Sequence, residues 1–368
     1  MDRDLIRKEV LGFKAYSPGL NIEEIKRKYG LTRVIKMASN ENPLGTSPVV
    51  KEVIALNAAL AFRYPRAGTP DLCAAIGEYL NVPAKNIVCG NGSDEIIDLI
   101  IRLVAKPGED NIVAFKPCFS IYKLQSQFAG VEFRQVPLSK DFHFPWDDLF
   151  QAVDEKTKVV FITNPDNPSG FCAKKEELEA VLSRLPQSVL VVIDEAYIDF
   201  ALPQAEYSLL SDWQNYPNLV ILRTFSKMFG LAGLRLGFAV LPDIYADYLQ
   251  RVKLPFSVNI LAEKAGIAAL NDKFFYDQTL ETVRAGREFL SMELERLGCK
   301  TFPSQANFLM FLPPVDASEV FEGLLKKGII IRPLKSYGLE EYLRVSIGTK
   351  EENKLFIKEL EEVLNGSK

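Results

Sequence analysis

Between Leu72 and the 250s, short and nearly unbroken apolar runs (IVCG, NIVAF, VVFITN, VLVVIDEAY, LVILRTFSK and GFAVL) alternate with stretches of helical pattern. A strand wetted on one face alternates apolar with polar residues, so continuous apolar runs call for cover on both faces. Helices between such strands supply that cover and carry the chain back for parallel pairing. The pattern predicts an α/β fold, a mostly parallel sheet covered by helices. Sheets of this kind bind small ligands beyond the carboxyl ends of their strands, and four of those ends carry polar groups.

At the first end, CGNGSDEIIDL, the glycines around Gly92 permit a close turn, and a helix opens at Ser93 and Asp94. Its free N–H groups suit a phosphate, although Ser-x-x-Glu-like capping reads equally as structure. At the second, VVFITNPDNPSG, Asn167 is placed to donate to an anionic ring oxygen, or else belongs to a rigid turn that satisfies its own backbone. Asp194 closes an apolar run at the third end, where a buried carboxylate needs a cationic or protonated partner, and Tyr197 follows three residues on. At the fourth, Lys227 follows Thr224 and Ser226 and precedes Arg235. A lysine in a dry pocket forms Schiff bases, and these neighbours can clamp a phosphate; a surface lysine with a structural arginine is the plainer reading. Taken together, the four ends offer what pyridoxal phosphate requires of a protein.

Near Pro255 the texture changes to a long helical region through Leu297, then ANFLMFL, GIIIRPL and YLRVSIG as strands, closed by EENKLFIKELEEVL. This predicts a smaller α+β domain over 261–368, after a large domain over 36–260 and an N-terminal arm over 1–35 that contributes to the small domain and the active site. The 368 residues are ample for two cores, and 44 basic against 48 acidic side chains give a net charge of −4. That balance offers no general attraction to nucleic acid or anionic lipid, and no apolar stretch has the length of a membrane span, so a cytoplasmic location is expected. Five scattered cysteines (Cys73, Cys89, Cys118, Cys172 and Cys299) make no CxxC pair, and His143 is the only histidine. No metal site is expected, and proton chemistry falls to lysine, carboxylate or a cofactor.

The segments YSPG, SNENPLG, RYPRAG, GNGSDEIIDL, NPDNPSG, DEAYIDF, TFSKMFGLAGLRLG and IIRPLKSYGLEEYLRVSIGT cover nearly the whole chain. With them the sequence resembles the fold type I, aspartate-aminotransferase-like pyridoxal-phosphate enzymes, and among these the histidinol-phosphate aminotransferases. The resemblance implies that Lys227 is the Schiff-base lysine and proton shuttle, and that Asp194 pairs with the pyridine nitrogen. Tyr197 and Asn167 would bond the ring oxygen, while Gly92, Ser93, Asp94, Thr224, Ser226 and Arg235 surround the phosphate. Phe119 stands where relatives more often have a stacked tyrosine. Tyr64 would reach the phosphate in the neighbouring subunit of a homodimer with shared sites. Arg344 matches the arginine for a substrate α-carboxylate, Arg332 one near a distal phosphate, and Tyr16 and Asn42 match substrate-pocket positions.

The activity so implied is exchange of the amino group between L-histidinol phosphate and 2-oxoglutarate, giving imidazole acetol phosphate and L-glutamate in histidine biosynthesis. Aromatic amino-acid aminotransferase and phosphothreonine decarboxylase are alternatives with the same fold and cofactor. A non-catalytic binding protein on this scaffold is the alternative of a different class, and the retained Lys227 and Asp194 argue against it.

Overall fold

Along Leu190–Asp194, Leu190 and Val192 join one buried apolar cluster, while Val191 and Ile193 join another. Successive side chains of a strand point to opposite faces, so this strand is covered on both sides. The computed structural model, which describes residues 5–13 and 20–366, repeats the split across its main sheet. A two-residue strand β1 (Ile35–Lys36) comes first, and the main sheet follows with β2 (Ile87–Gly90), β3 (Asn111–Lys116), β4 (Glu132–Pro137), β5 (Thr157–Thr163), β6 (Leu190–Asp194), β7 (Leu219–Thr224) and β8 (Gly237–Val240). Their spatial order is β2-β8-β7-β6-β5-β3-β4. Only β8 runs antiparallel to its neighbours β2 and β7. The α/β architecture expected from the apolar runs is present. Strand β4 had no such run, because it lies at the sheet edge with mostly part-exposed residues.

Beyond residue 260, the helices Ile260–Asn271 and Lys273–Arg296 lead into β9 (Lys300–Thr301), β10 (Phe308–Leu312), β11 (Ile329–Ile330), β12 (Arg332–Pro333) and β13 (Leu343–Ser346). Strands β12-β13-β10-β9 form an antiparallel sheet. GIIIRPL, read as one strand, is divided: β11 leaves that sheet and pairs in parallel with β1, Ile35 opposite Ile329. The expected arm boundary therefore falls inside a strand that joins the start of the chain to its C-terminal part. Leu290 and Leu294 of the long helix, with Phe356 and Leu360 of the closing helix Lys350–Gly366, are buried in the same cluster that underlies β6. Among the described residues no helix is long and apolar enough to cross a membrane.

Candidate active site

In register, Thr163 at the end of β5 lies opposite Asp194 at the end of β6, and Asp194 lies opposite Leu222 of β7. Three adjacent parallel strands thus present their carboxyl ends together. Over them sits a cavity of about 200 Å³, lined by Thr163, Asp194 and Thr224 from the strand ends, by Ser93, Asp94 and Phe119, and by Asn167, Tyr197, Ser226, Lys227 and Arg235. A larger hollow of about 590 Å³ between the helices Ala317–Lys326 and Lys350–Gly366 is more open and is lined largely by exposed Glu and Lys side chains. The smaller cavity is the one into which buried polar groups converge.

Asp194 is 3% exposed and forms no ion pair among the described residues. Tyr122 Oη donates to its Oδ2 at 2.6 Å, and the Ala196 N–H donates to Oδ1 at 3.1 Å. Burial pushes the carboxyl up to about 6, against the opposing pull of the Tyr122 hydrogen bond. It is therefore largely ionised at neutral pH, though close to its titration, and of the cationic or protonated partner expected for it the Tyr122 hydroxyl supplies the protonated one. Tyr122 was not anticipated; on the helix Ser120–Ala129 it reads as an ordinary core aromatic.

Lys227 Nζ donates to the Ser39 carbonyl at 3.2 Å and lies 5.6 Å from the Tyr197 ring centroid. Burial first, and the Arg344 cation second, lower its amine to about 8. A substantial neutral fraction is thus available as a nucleophile near neutrality. Tyr197 Oη accepts from Asn40 Nδ2 at 3.1 Å, and burial raises the phenol above its ordinary value. Asn40 has φ 54, and its backbone N–H donates at 2.8 Å to the Ser346 hydroxyl, which returns a 2.9 Å bond to Asn40 Oδ1. Left-handed backbone is tolerated by Asn better than by most residues. No local pattern marked Asn40 or Ser346, because their contact is made only by the completed fold.

Arg344 is 5% exposed; its Nη1 donates to Asn167 Oδ1 and its Nη2 to the Ala38 carbonyl at 3.0 Å. With Oδ1 engaged, the Asn167 amide is oriented so that its Nδ2 donor stays free for the cavity. The rest of NPDNPSG is also the self-satisfying turn: Ser169 donates to Asp166 through both N–H (3.1 Å) and hydroxyl (2.6 Å). Among the described residues Arg344 Nε is buried with no hydrogen-bond partner, an arrangement native proteins seldom leave without a ligand or water.

The opposite end of the cavity is built for an anion. Gly92 precedes the helix Ser93–Val104 with φ 81 and ψ 165, and no side chain caps the first turn. Capping by Ser93 is thereby replaced by open N–H groups carrying the positive end of the helix dipole. Arg235 stands over this turn, 3.1 Å from Asp94 Oδ2 and so close that a Cβ on Gly92 would lie 2.5 Å from its Nη2. A Cβ on Gly237 would meet the Ser93 nitrogen at 2.4 Å, so β8 approaches the helix start only through glycine. The Ser226 N–H donates to Thr224 Oγ1 at 3.1 Å, tying the two hydroxyl residues into one turn.

Other expected site residues are not brought into this cavity. Asn42 turns away: its Nδ2 donates to the Met228 carbonyl at 2.7 Å and to Thr279 Oγ1 at 3.2 Å, which fastens the loop beneath Lys227 instead of offering the amide to a substrate. Tyr64 is 81% exposed and lies tilted against Phe256, ring centroids 4.9 Å apart, outside the cavity of its own chain. Arg332 also lies off the cavity lining, directly opposite Arg344 in the β12–β13 register, with its Nη2 3.4 Å from Ser336 Oγ. Tyr16 falls outside the described residues. His143 is exposed against Phe171, ring centroids 4.3 Å apart. Among the described residues no group of His, Cys, Asp and Glu could hold a metal ion.

The residues present fit pyridoxal phosphate: a buried acid without a cation, an amine with lowered basicity, and a helix start with Arg235 beside it. The family described as aminotransferase class I and II matches residues 32–360. A histidinol-phosphate aminotransferase of Nitratidesulfovibrio vulgaris is 57% identical over 361 residues, covering 98% of this chain and 97% of that protein. Its counterpart in Oleidesulfovibrio alaskensis is 58% identical over 365 residues, 98% of this chain and 95% of its own. The crystal structure of histidinol-phosphate aminotransferase from Sinorhizobium meliloti in complex with pyridoxal-5'-phosphate superposes with a TM-score of 0.89 at 26% identity, covering 99% of this chain and 98% of that one.

Proposed function

Because the chain belongs to the class I and II aminotransferases, we infer that it exchanges the amino group between L-histidinol phosphate and 2-oxoglutarate in histidine biosynthesis, giving imidazole acetol phosphate and L-glutamate. The enzyme depends on pyridoxal phosphate. The observation that carries the assignment is the presence of Lys227 and Asp194 in one cavity of a chain that matches such enzymes over 98% of its length.

When bound, pyridoxal phosphate supplies a carbonyl that captures amines and a ring that accepts electron density. Lys227 Nζ would be the amine that engages that carbonyl and the base available to a substrate Cα proton. Asp194 would hold the ring nitrogen in its protonated form. Tyr197 and Asn167 would donate to the ring oxygen, and Phe119 would supply an apolar wall for the ring. Ser93, Ser226, Thr224, Arg235 and the helix N-terminus would hold the phosphate, with Asp94 steering Arg235.

For the substrate, Arg344 receives the carboxylate of glutamate through its unpaired Nε, and Arg332 receives the distal phosphate. Two cations directly opposite on adjacent strands repel, and a shared anion relieves that repulsion. This supports a substrate with an anionic group remote from the amine over phenylalanine or tyrosine, whose only carboxylate is on Cα.

Exposed Leu56, Phe62, Tyr64 and Leu254, each more than 70% accessible, support a homodimer in which Tyr64 reaches the phosphate in the other subunit. Light scattering should give twice the 41.3 kDa chain mass. The anionic, membrane-impermeant reactants support a cytoplasmic site of action, to be checked by cell fractionation.

The deciding experiment is a matched panel of histidinol phosphate, phenylalanine, tyrosine and O-phosphothreonine with 2-oxoglutarate, with decarboxylation followed separately. Histidinol phosphate should give the highest kcat/KM. A clear preference for phenylalanine replaces this reading with an aromatic aminotransferase, and release of carbon dioxide from O-phosphothreonine replaces it with the decarboxylase.

A further inference from the structure

We propose that Tyr122 is a positioning residue that keeps Asp194 ionised and aimed at the ring nitrogen, and at the same time sets the tilt of Phe119 over the ring.

The phenol sits wholly inside the protein, on the third residue of the helix Ser120–Ala129, with its ring stacked on Phe161 at 4.4 Å and 6° between planes. Its oxygen touches two groups, Asp194 Oδ2 at 2.6 Å and Thr163 Oγ1 at 2.8 Å. A phenol has one proton. Since Asp194 is an acceptor when ionised, that proton goes to Asp194 and the Thr163 hydroxyl donates to Tyr122. The chain of donors therefore runs one way, from Thr163 through Tyr122 to the carboxylate.

This direction matters because, among the described residues, no cation pairs with Asp194 and the Tyr122 hydrogen bond is the largest offset to its burial. Its other contact is the neutral Ala196 N–H, and the nearby charges that act on it, Asp94 and Glu195, are acidic and oppose its ionisation. Burial and the Asp194 charge keep Tyr122 protonated far above its ordinary range, so it remains a donor at any working pH. Without that donor, Asp194 would titrate higher, toward the pH at which the enzyme works. The proton shared with a ring nitrogen would then rest on the carboxyl, and the ring would lose its charge.

The same side chain meets Phe119 edge to face, with centroids 5.7 Å apart and 86° between planes. Phe119 lines the cavity. One residue thus fixes both the acid beside the ring nitrogen and the aromatic wall over the ring.

The proposal rests on the pyridoxal-phosphate reading, and the test separates the two. Holoenzymes are prepared with cofactor labelled with 15N at the ring nitrogen, as wild type, Y122F and T163V. The wild type should show a protonated ring nitrogen across the neutral range; a wild type that takes up no cofactor overturns the cofactor reading and this proposal with it. Y122F, which keeps the ring packing, should show the nitrogen losing its proton within that range. Its half-reaction with histidinol phosphate should slow about ten- to a hundredfold, the scale of one charge-assisted hydrogen bond, while KM changes by less than about threefold. T163V keeps the phenol but removes the hydroxyl that orients it, and should shift the nitrogen in the same direction by less. A purely structural Tyr122 would lower thermal stability and leave the 15N signal in place. An unchanged signal in folded Y122F overturns the proposal, and if Y122F does not fold, an unchanged signal in T163V does so.

Discussion

Replacing Gly92 with alanine should separate the two roles of the turn that faces the phosphate. The backbone there has φ 81 and ψ 165, a region occupied almost solely by glycine, and forcing a side chain into it costs about 1–3 kcal/mol. This penalty falls on the folded protein with or without cofactor, so it should appear as lost stability of the apoprotein in urea. The new Cβ would also lie 2.5 Å from Arg235 Nη2 and 3.2 Å from its Cζ. The guanidinium must swing away from the helix start, and a charge-assisted contact to phosphate worth about 1.5–3 kcal/mol is lost. Pyridoxal phosphate should then bind roughly 10- to 150-fold more weakly, as measured by titration of apoprotein. Pyridoxal, which lacks the phosphate, supplies the control and should bind G92A nearly as well as wild type. R235A should match the loss of affinity without the loss of stability, and adding R235A to G92A should weaken cofactor binding little further. If G92A weakens pyridoxal as much as pyridoxal phosphate, the turn is acting on the whole cavity and the phosphate argument is wrong.

Lys227 should impose a pH dependence on the apoprotein. Its amine titrates near 8 when folded against 10.5 for the ordinary value, so the unfolded chain binds more protons between those limits and stability rises with pH through that window. Relative to a residue without charge, stability is complete above 10.5 and is lost as pH falls to about 8. K227M should abolish this slope and gain about 1–3 kcal/mol at pH 7, the lower end allowing for water in the cavity, as read by urea unfolding from pH 6 to 11. R332A should lower kcat/KM for histidinol phosphate by about 30- to 1,000-fold, and much less for phenylalanine, whose distal end is uncharged. Equal losses for the two donors would make Arg332 a structural residue.

What the sequence revealed followed the range of the forces involved. The central strands were legible because burial on both faces leaves long apolar runs, and Asp194, Thr224 and Lys227 could be read as polar interruptions at their ends. The edge strand β4 was not, since its part-exposed residues carry no such run. Nor was the division of residues 328–333 between two sheets, which depends on β1, hundreds of residues earlier, taking up Ile329 and Ile330. Tyr122 was hidden for a different reason. A tyrosine on the buried face of a helix satisfies the packing pattern by itself, and only the position of Asp194 on another element reveals its hydroxyl as functional. Asn42 erred in the other direction: a polar residue beside the site was expected to face it, whereas the Met228 carbonyl and Thr279 had taken its amide.

The bond from the Asn40 N–H to Ser346 joins positions 306 residues apart, and β1 has no strand partner until β11 exists. At synthesis rates of about 5–20 residues per second, the segment that supports Tyr197 and Lys227 waits roughly 15–60 s for its far end to emerge from the ribosome. During that interval β2 to β8 can already pair, because all are made before residue 241, although one face of the sheet still lacks the later helices that cover it. Lys227 and Asp194 are then in place, while Arg344 and Ser346 are not. The surroundings of Lys227 are therefore completed only by β13, the last strand to be made. Closing so long a loop is slow, and it makes the final hundred residues the gate through which the chain acquires a working centre.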